Sequence, residues 1–146
     1  MDYGSKRVGI TIYHGDIRIV LPREAIIAED DSAKGERICE IMKENNIDEI
    51  ATGYPVNMDR SMGNKAKQVD RFIKILSSKL PTGTKINHID ERLTSEQAIS
   101  EQRSFHGKQS PTKTRKQRNL GIVDSIAATI ILQDFLRELE LRGEKR

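Results

Sequence analysis

Three carboxylates from well-separated stretches of the chain, Asp2, Glu91 and Asp124, are residues that could do chemistry together. Asp2 opens the stretch Asp2-Tyr3-Gly4-Ser5-Lys6-Arg7, where an acid is followed two places on by glycine and then by a basic pair. The apolar run Val8-Gly9-Ile10-Thr11-Ile12 comes next. This order reads as a strand end, a tight turn and a second strand, with Gly4 taking backbone angles that a side chain would forbid. Asp2 would then stand at the mouth of a sheet, where a carboxylate can hold a metal ion. Carboxylates gathered in one place repel each other unless a hard cation neutralises them. Mg²⁺ and Mn²⁺ accept oxygen ligands and keep waters. Two such ions, about 3.5–4 Å apart, can clamp the attacking water and the leaving oxygen of a phosphodiester.

Each carboxylate has a plainer reading as well. Asp2 is a good turn former near a frayed terminus. Glu91 can pair with Arg92, and its neighbour Asp90 is equally acidic. Strand alternation sends Asp90 and Glu91 to opposite faces, so spacing leaves open which of them enters a site. Asp124 near a helix start is what the helix dipole favours.

The elements that must position these residues follow from periodicity. Residues 8–12 read as a strand, 13–16 as a turn containing His14, and 17–21 as a half-exposed strand ended by Pro22. Ser32 can cap a first helix with Ile38, Ile41 and Met42 on one face, ended by Asn45-Asn46. A strand over 47–52 closes at Gly53-Tyr54-Pro55, and 56–63 is a loop. Ala66, Val69, Phe72, Ile73, Leu76 and Leu80 repeat at helical spacing, which predicts a second helix over about 65–80. Pro81-Thr82-Gly83 breaks it, and a strand over 85–89 runs into Asp90-Glu91-Arg92. Thr94 with Gln97 forms a capping box for a third helix to about residue 104. A last helix runs from about 121 to 141 with Ile122, Ile126 and Ile130 on its apolar face. A hairpin followed by βαβ units implies one mixed sheet with helices on both faces, and sites in such sheets gather beyond the strand ends.

With 146 residues the chain reads as a single domain, 1–146, long enough to bury about two thirds of its unfolded surface. Cys39, the one cysteine, falls in an apolar helical pattern and reads as a small core residue. Neither a signal peptide nor a long apolar run is present, which predicts a soluble cytoplasmic protein with no membrane segment.

Net charge is only +3, but its distribution is uneven. Residues 102–123 contain no acid and carry Arg103, Lys108, Lys113, Arg115, Lys116 and Arg118. Charge of one sign clustered in this way is the electrostatic footprint of a polyanion binder. Residues 105–119 bury little beyond Phe105 and are expected to be mobile without nucleic acid. Stacking aromatics are scarce, which favours backbone recognition over single-strand stacking.

Four stretches carry a more specific signal: 2–9, 53–59 (Gly53-Tyr54-Pro55-Val56-Asn57-Met58-Asp59), 90–95 (Asp90-Glu91-Arg92-Leu93-Thr94-Ser95) and 123–128 (Val123-Asp124-Ser125-Ile126-Ala127-Ala128). In their order and spacing the chain resembles the YqgF/RuvX family, and the resemblance spans essentially its whole length. That resemblance implies an RNase H-like three-layer α/β fold with a mixed five-stranded sheet and helices on both faces. It implies that Asp2, Glu91 and Asp124 bind Mg²⁺ or Mn²⁺ as a catalytic triad. Arg7, Asn57 and the basic run with Lys113, Arg115, Lys116 and Arg118 match positions expected to meet nucleic acid.

The implied activity is a metal-dependent endonuclease acting on structured RNA and maturing the 5′ end of pre-16S rRNA. Resolution of four-way DNA junctions, or catalytically silent nucleic-acid binding, is the alternative. Partners would be precursor rRNA or branched DNA and ribosomal subunit precursors, with the chain a monomer or homodimer. Relatives carry several apolar residues ahead of the first aspartate as a central strand, whereas here only Met1 precedes it. The reading predicts either a very short first strand or a start further upstream.

Overall fold

A computed structural model describes residues 1–56, 62–90 and 122–144, with the backbone alone described for 122–124. In chain order the elements are β1 (Asp2–Tyr3), β2 (Arg7–His14), β3 (Ile19–Ile27), α1 (Asp31–Glu44), β4 (Glu49–Tyr54), α2 (Asn64–Ser77), β5 (Lys85–Asp90) and α3 (Ile122–Leu141). The helix expected from Thr94 lies outside the described residues.

Strands β1, β2 and β3 form an antiparallel meander in that order, and β4 and β5 pair in parallel. The single five-stranded sheet expected from the sequence is therefore divided in two. Met1 joins the halves: its nitrogen donates to Ala51 O at 2.5 Å, and Gly53 N donates to Met1 O at 3.1 Å. One residue bonding two residues that are two apart on the other strand is the pattern of a parallel pair, so β1 runs alongside β4. With only two residues in β1, the ladder is too short to merge the sheets. Below Met1, strands β2 and β4 part around a cleft of about 720 Å³ lined by Ile12, Tyr13, Ile47, Ile50, Leu132 and Phe135 among others.

Two cores sandwich the strands. On one face Met1, Tyr3, Val8, Ile10, Ile12, Ile26 and Ile50 pack against Ile38, Ile41 and Met42 of α1 and Val69, Phe72 and Leu76 of α2. On the other, Ala51 and Ile89 meet Ile131, Phe135 and Leu139 of α3. The period of two along β2 explains this directly: Val8, Ile10 and Ile12 face α1 and α2, leaving Arg7, Gly9 and Thr11 for the α3 side. The helices contribute residues three and four apart, the spacing that lines one helical face. Cys39 is half-buried, its Sγ 3.5 Å from Lys79 O, and burial pushes its thiol pKa up.

Three local expectations are corrected. The second hairpin strand continues through Pro22 to Ile27. Pro22 stands opposite Thr11 on the edge of its sheet, where a residue without an N–H can be accommodated. The register then shifts: Val8 pairs with Ile26 but Ile10 with Arg23, so Glu24 and Ala25 bulge opposite Gly9. Helix α1 is capped by Asp30 rather than Ser32. Asp30 has the extended backbone a cap needs and accepts the Ala33 amide at 2.9 Å. Finally, the buried stripe of α3 is Ala128, Ile131, Phe135 and Leu139 with Ser125, while Ile126 and Ile130 are only half-buried. The first turns of α3 mix apolar residues with Asp124, Ser125 and Thr129, and polar partners settle its rotation. Ser125 Oγ donates to Arg23 O at 2.5 Å, and Thr11 Oγ1 donates to Ser125 O at 3.1 Å.

Candidate active site

The first strand fixes which way Asp2 faces. Met1 and Tyr3 are buried toward α1 and α2, so alternation turns the half-buried Asp2 to the α3 side. Its partner across the ladder is Gly9, which puts no side chain beside it. Arg7, two residues before Gly9, stands on the same face and is half-buried. Asp2 and Arg7 are thus brought to one side of the sheet by a turn of three residues.

Gly4 serves that turn for a reason other than the one its sequence suggests. Its amide donates to Arg7 O at 2.8 Å, and a Cβ on Gly4 would come within 2.9 Å of the same oxygen. Among the described glycines, positive φ occurs at Gly83 and Gly143, so Gly4 is required by close backbone approach and not by left-handed geometry.

Tyr3 anchors the strand from the opposite face. Its ring stacks on Phe72 with centroids 4.4 Å apart, and its hydroxyl donates to both carboxylate oxygens of Asp31 at 3.0 Å. Burial, reinforced by Asp31, pushes the Tyr3 pKa up to about 12.

At the end of β5 the described residues distinguish Asp90 from its surroundings. Ile89 is buried in the α3 core, and Asp90 stands level with Tyr54 in the ladder. Tyr54 belongs to the α2 side, where its hydroxyl donates to Asp70 at 3.1 Å. Asp90 therefore faces away from Asp2. Glu91 lies outside the described residues, as do Asn57, Lys113, Arg115, Lys116 and Arg118. Asp124 is the third residue of α3, and its side chain is not described. The next residue, Ser125, and Thr129 beyond it are tied to β3 and β2 on the face that carries Asp2. Among the described residues no group of three or more His, Cys, Asp or Glu converges to hold a metal.

The sequence reading missed Lys34, a fully buried lysine on α1 whose Nζ donates to Asp31 Oδ1 at 2.7 Å. Its only sequence signal was the Asp31–Lys34 spacing, which places both side chains on one helical face.

The α/β fold thus sets an aspartate of its first strand on the side of a helix whose third residue is a second aspartate. The chain matches the family model described as "RuvX: Holliday junction resolvase" over residues 1–138 and belongs to that family. Among curated relatives, "Putative pre-16S rRNA nuclease" of Opitutus terrae is 32% identical over 136 residues, covering 93% of this chain and 88% of the relative. Proteins of the same name from Chloroflexus aurantiacus and Crocosphaera subtropica are each 34% identical over 93% of this chain, covering 83% and 89% of those relatives. These names support a nuclease, a hydrolase acting on nucleic-acid esters. No helix among the described residues is long and apolar enough to cross a membrane.

Proposed function

We propose that the chain is a metal-dependent endonuclease of structured RNA that matures the 5′ end of 16S rRNA precursors in the cytoplasm. The observation that carries the reading is the placement of Asp2: a half-buried carboxylate on the α3 face, level with a glycine and close to the helix that contains Asp124. A strand-end carboxylate of this kind supplies the hard oxygen donor that Mg²⁺ or Mn²⁺ takes. Asp90 faces the other way, which favours Glu91 as the carboxylate that joins Asp2 and Asp124.

In this reading Asp2, Glu91 and Asp124 hold the ions, and Glu91 also orients the attacking water. The bound ions would supply stabilisation of the negative charge that develops on the phosphodiester. Arg7, on the face of Asp2, and Asn57 position the scissile phosphate. Lys113, Arg115, Lys116 and Arg118 grip the backbone on either side. Ribosomal subunit precursors are the natural partners of such an activity.

The family description favours a second reading, resolution of four-way DNA junctions. Incubation of the protein with precursor 16S rRNA and with a four-way junction, in Mg²⁺, Mn²⁺ and chelator, separates them. Cleavage of the RNA alone, lost with chelator, is the expected result. Cleavage of the junction alone would overturn the RNA assignment, and cleavage surviving chelator would overturn the metal assignment.

A further inference from the structure

The turn that carries Asp2 toward Arg7 is held from beneath by a buried cation. Lys34 is fully buried on α1, and its Nζ donates to Ser5 O at 2.6 Å and to Asp31 Oδ1 at 2.7 Å. The same ammonium lies 5.3 Å from the centroid of the Tyr3 ring, and Tyr3 donates to the same Asp31. Helix packing alone does not call for this arrangement. A buried ion pair contributes little net stability over an apolar residue of similar size, because desolvating the charges costs about as much as their attraction returns. Methionine at position 34 would fill the space between α1 and β1, leaving the part-exposed Asp31 to the Tyr3 hydroxyl and to solvent. What methionine would not do is hold the Ser5 carbonyl.

Ser5 sits midway along the turn from Asp2 to Arg7. From one side the turn is closed by the Gly4 amide on Arg7 O at 2.8 Å. From the other it is tied to α1 through Lys34. Breaking the second tie frees the peptide between the two residues that share the α3 face. We propose that Lys34 is a positioning residue: by fixing the Ser5 carbonyl it sets the placement of the Asp2 carboxylate and of Arg7 for cation and phosphate. This rests on the metal-site reading above. Groups that orient metal ligands from behind typically change metal affinity or activity by about 10–100-fold when removed.

The test uses the full chain with Mn²⁺ as probe and three readouts: Mn²⁺ affinity by calorimetry, amide exchange at Gly4, and thermal midpoint. Lys34→Met should weaken Mn²⁺ binding about tenfold or more and speed exchange at Gly4, while exchange at Phe72 in α2 stays as in the parent. A change in midpoint alone, with Gly4 exchange or Mn²⁺ affinity at parental values, overturns the proposal, because a merely structural lysine would behave in that way. If Lys34→Met does not fold, Asp31→Asn keeps the amine and removes the charge that anchors it. Both readouts should then move in the same direction by less, and no movement in either overturns the proposal. A parent protein that binds no Mn²⁺ overturns the metal-site reading itself and this role with it. A parent that binds Mn²⁺ beside a Lys34→Met variant that binds it equally well overturns the role of Lys34 alone.

Discussion

Tyr3 is buried on the face opposite Asp2, with its hydroxyl on Asp31 and its pKa pushed up to about 12. A phenol that keeps its proton in the folded state and loses it near 10 when unfolded makes the folded state bind more protons in between. Stability therefore falls as pH rises from 10 to about 12. Chemical denaturation across that window should show the decline, and Tyr3→Phe should remove the part due to this residue while leaving any decline due to other groups. For Asp124 the expectation concerns charge. Carboxylates crowded without a cation repel, so Asp124→Asn should abolish cleavage yet leave the metal-free thermal midpoint unchanged or raised. Parental cleavage by that variant in Mg²⁺ would reduce Asp124 to a helix-start residue.

At the scale of elements, the acid-free basic run from 102 to 123 leads into α3, which is tied through Ser125 and Thr11 to the sheet bearing Asp2. Its cations have no acidic neighbours in sequence, so phosphate is the expected counter-charge. Each phosphate neutralised releases condensed counterions, and affinity should fall steeply with salt. Replacing Lys113, Arg115, Lys116 and Arg118 by alanine should flatten the log–log salt slope by about 0.7–0.9 for every phosphate no longer neutralised, for up to about four phosphates. The melting temperature should hardly change. Binding measured across a salt series for both proteins is the check, and an unchanged slope would remove this run from the interface.

Across the whole molecule, the core shared by β1, β2, β3, α1 and α2 carries the architecture, and Phe72 is fully buried within it. Because Phe72 also stacks on Tyr3, its removal leaves a cavity directly behind the strand of Asp2. Phe72→Ala should lower unfolding free energy by about 3–5 kcal/mol, measured by denaturant titration. Such a change would also loosen the junction at Met1, where two hydrogen bonds connect the meander to β4.

Much of this arrangement is legible in the chain because it depends on local period and short-range chemistry. Val8, Ile10 and Ile12 alternate, so they must share a sheet face. Ala66, Val69, Phe72 and Leu76 recur at helical spacing, so they must share a helix face. The four motif stretches carry the family. Other features depended on surfaces that meet only after folding. The rotation of α3 was not set by its apolar residues alone; the Ser125 and Thr129 hydroxyls, facing Arg23 and Thr11, set it. Pro22 looked like a strand end because the edge position of β3 is a property of the sheet. The facing of Asp90 away from Asp2 required the register of β5 against β4. Beyond its spacing from Asp31, Lys34 has no distinguishing mark on its helix until a carbonyl from the β1–β2 turn meets its ammonium. Each of these is a relation between distant segments, and only their packing supplies the partner that gives the residue its role.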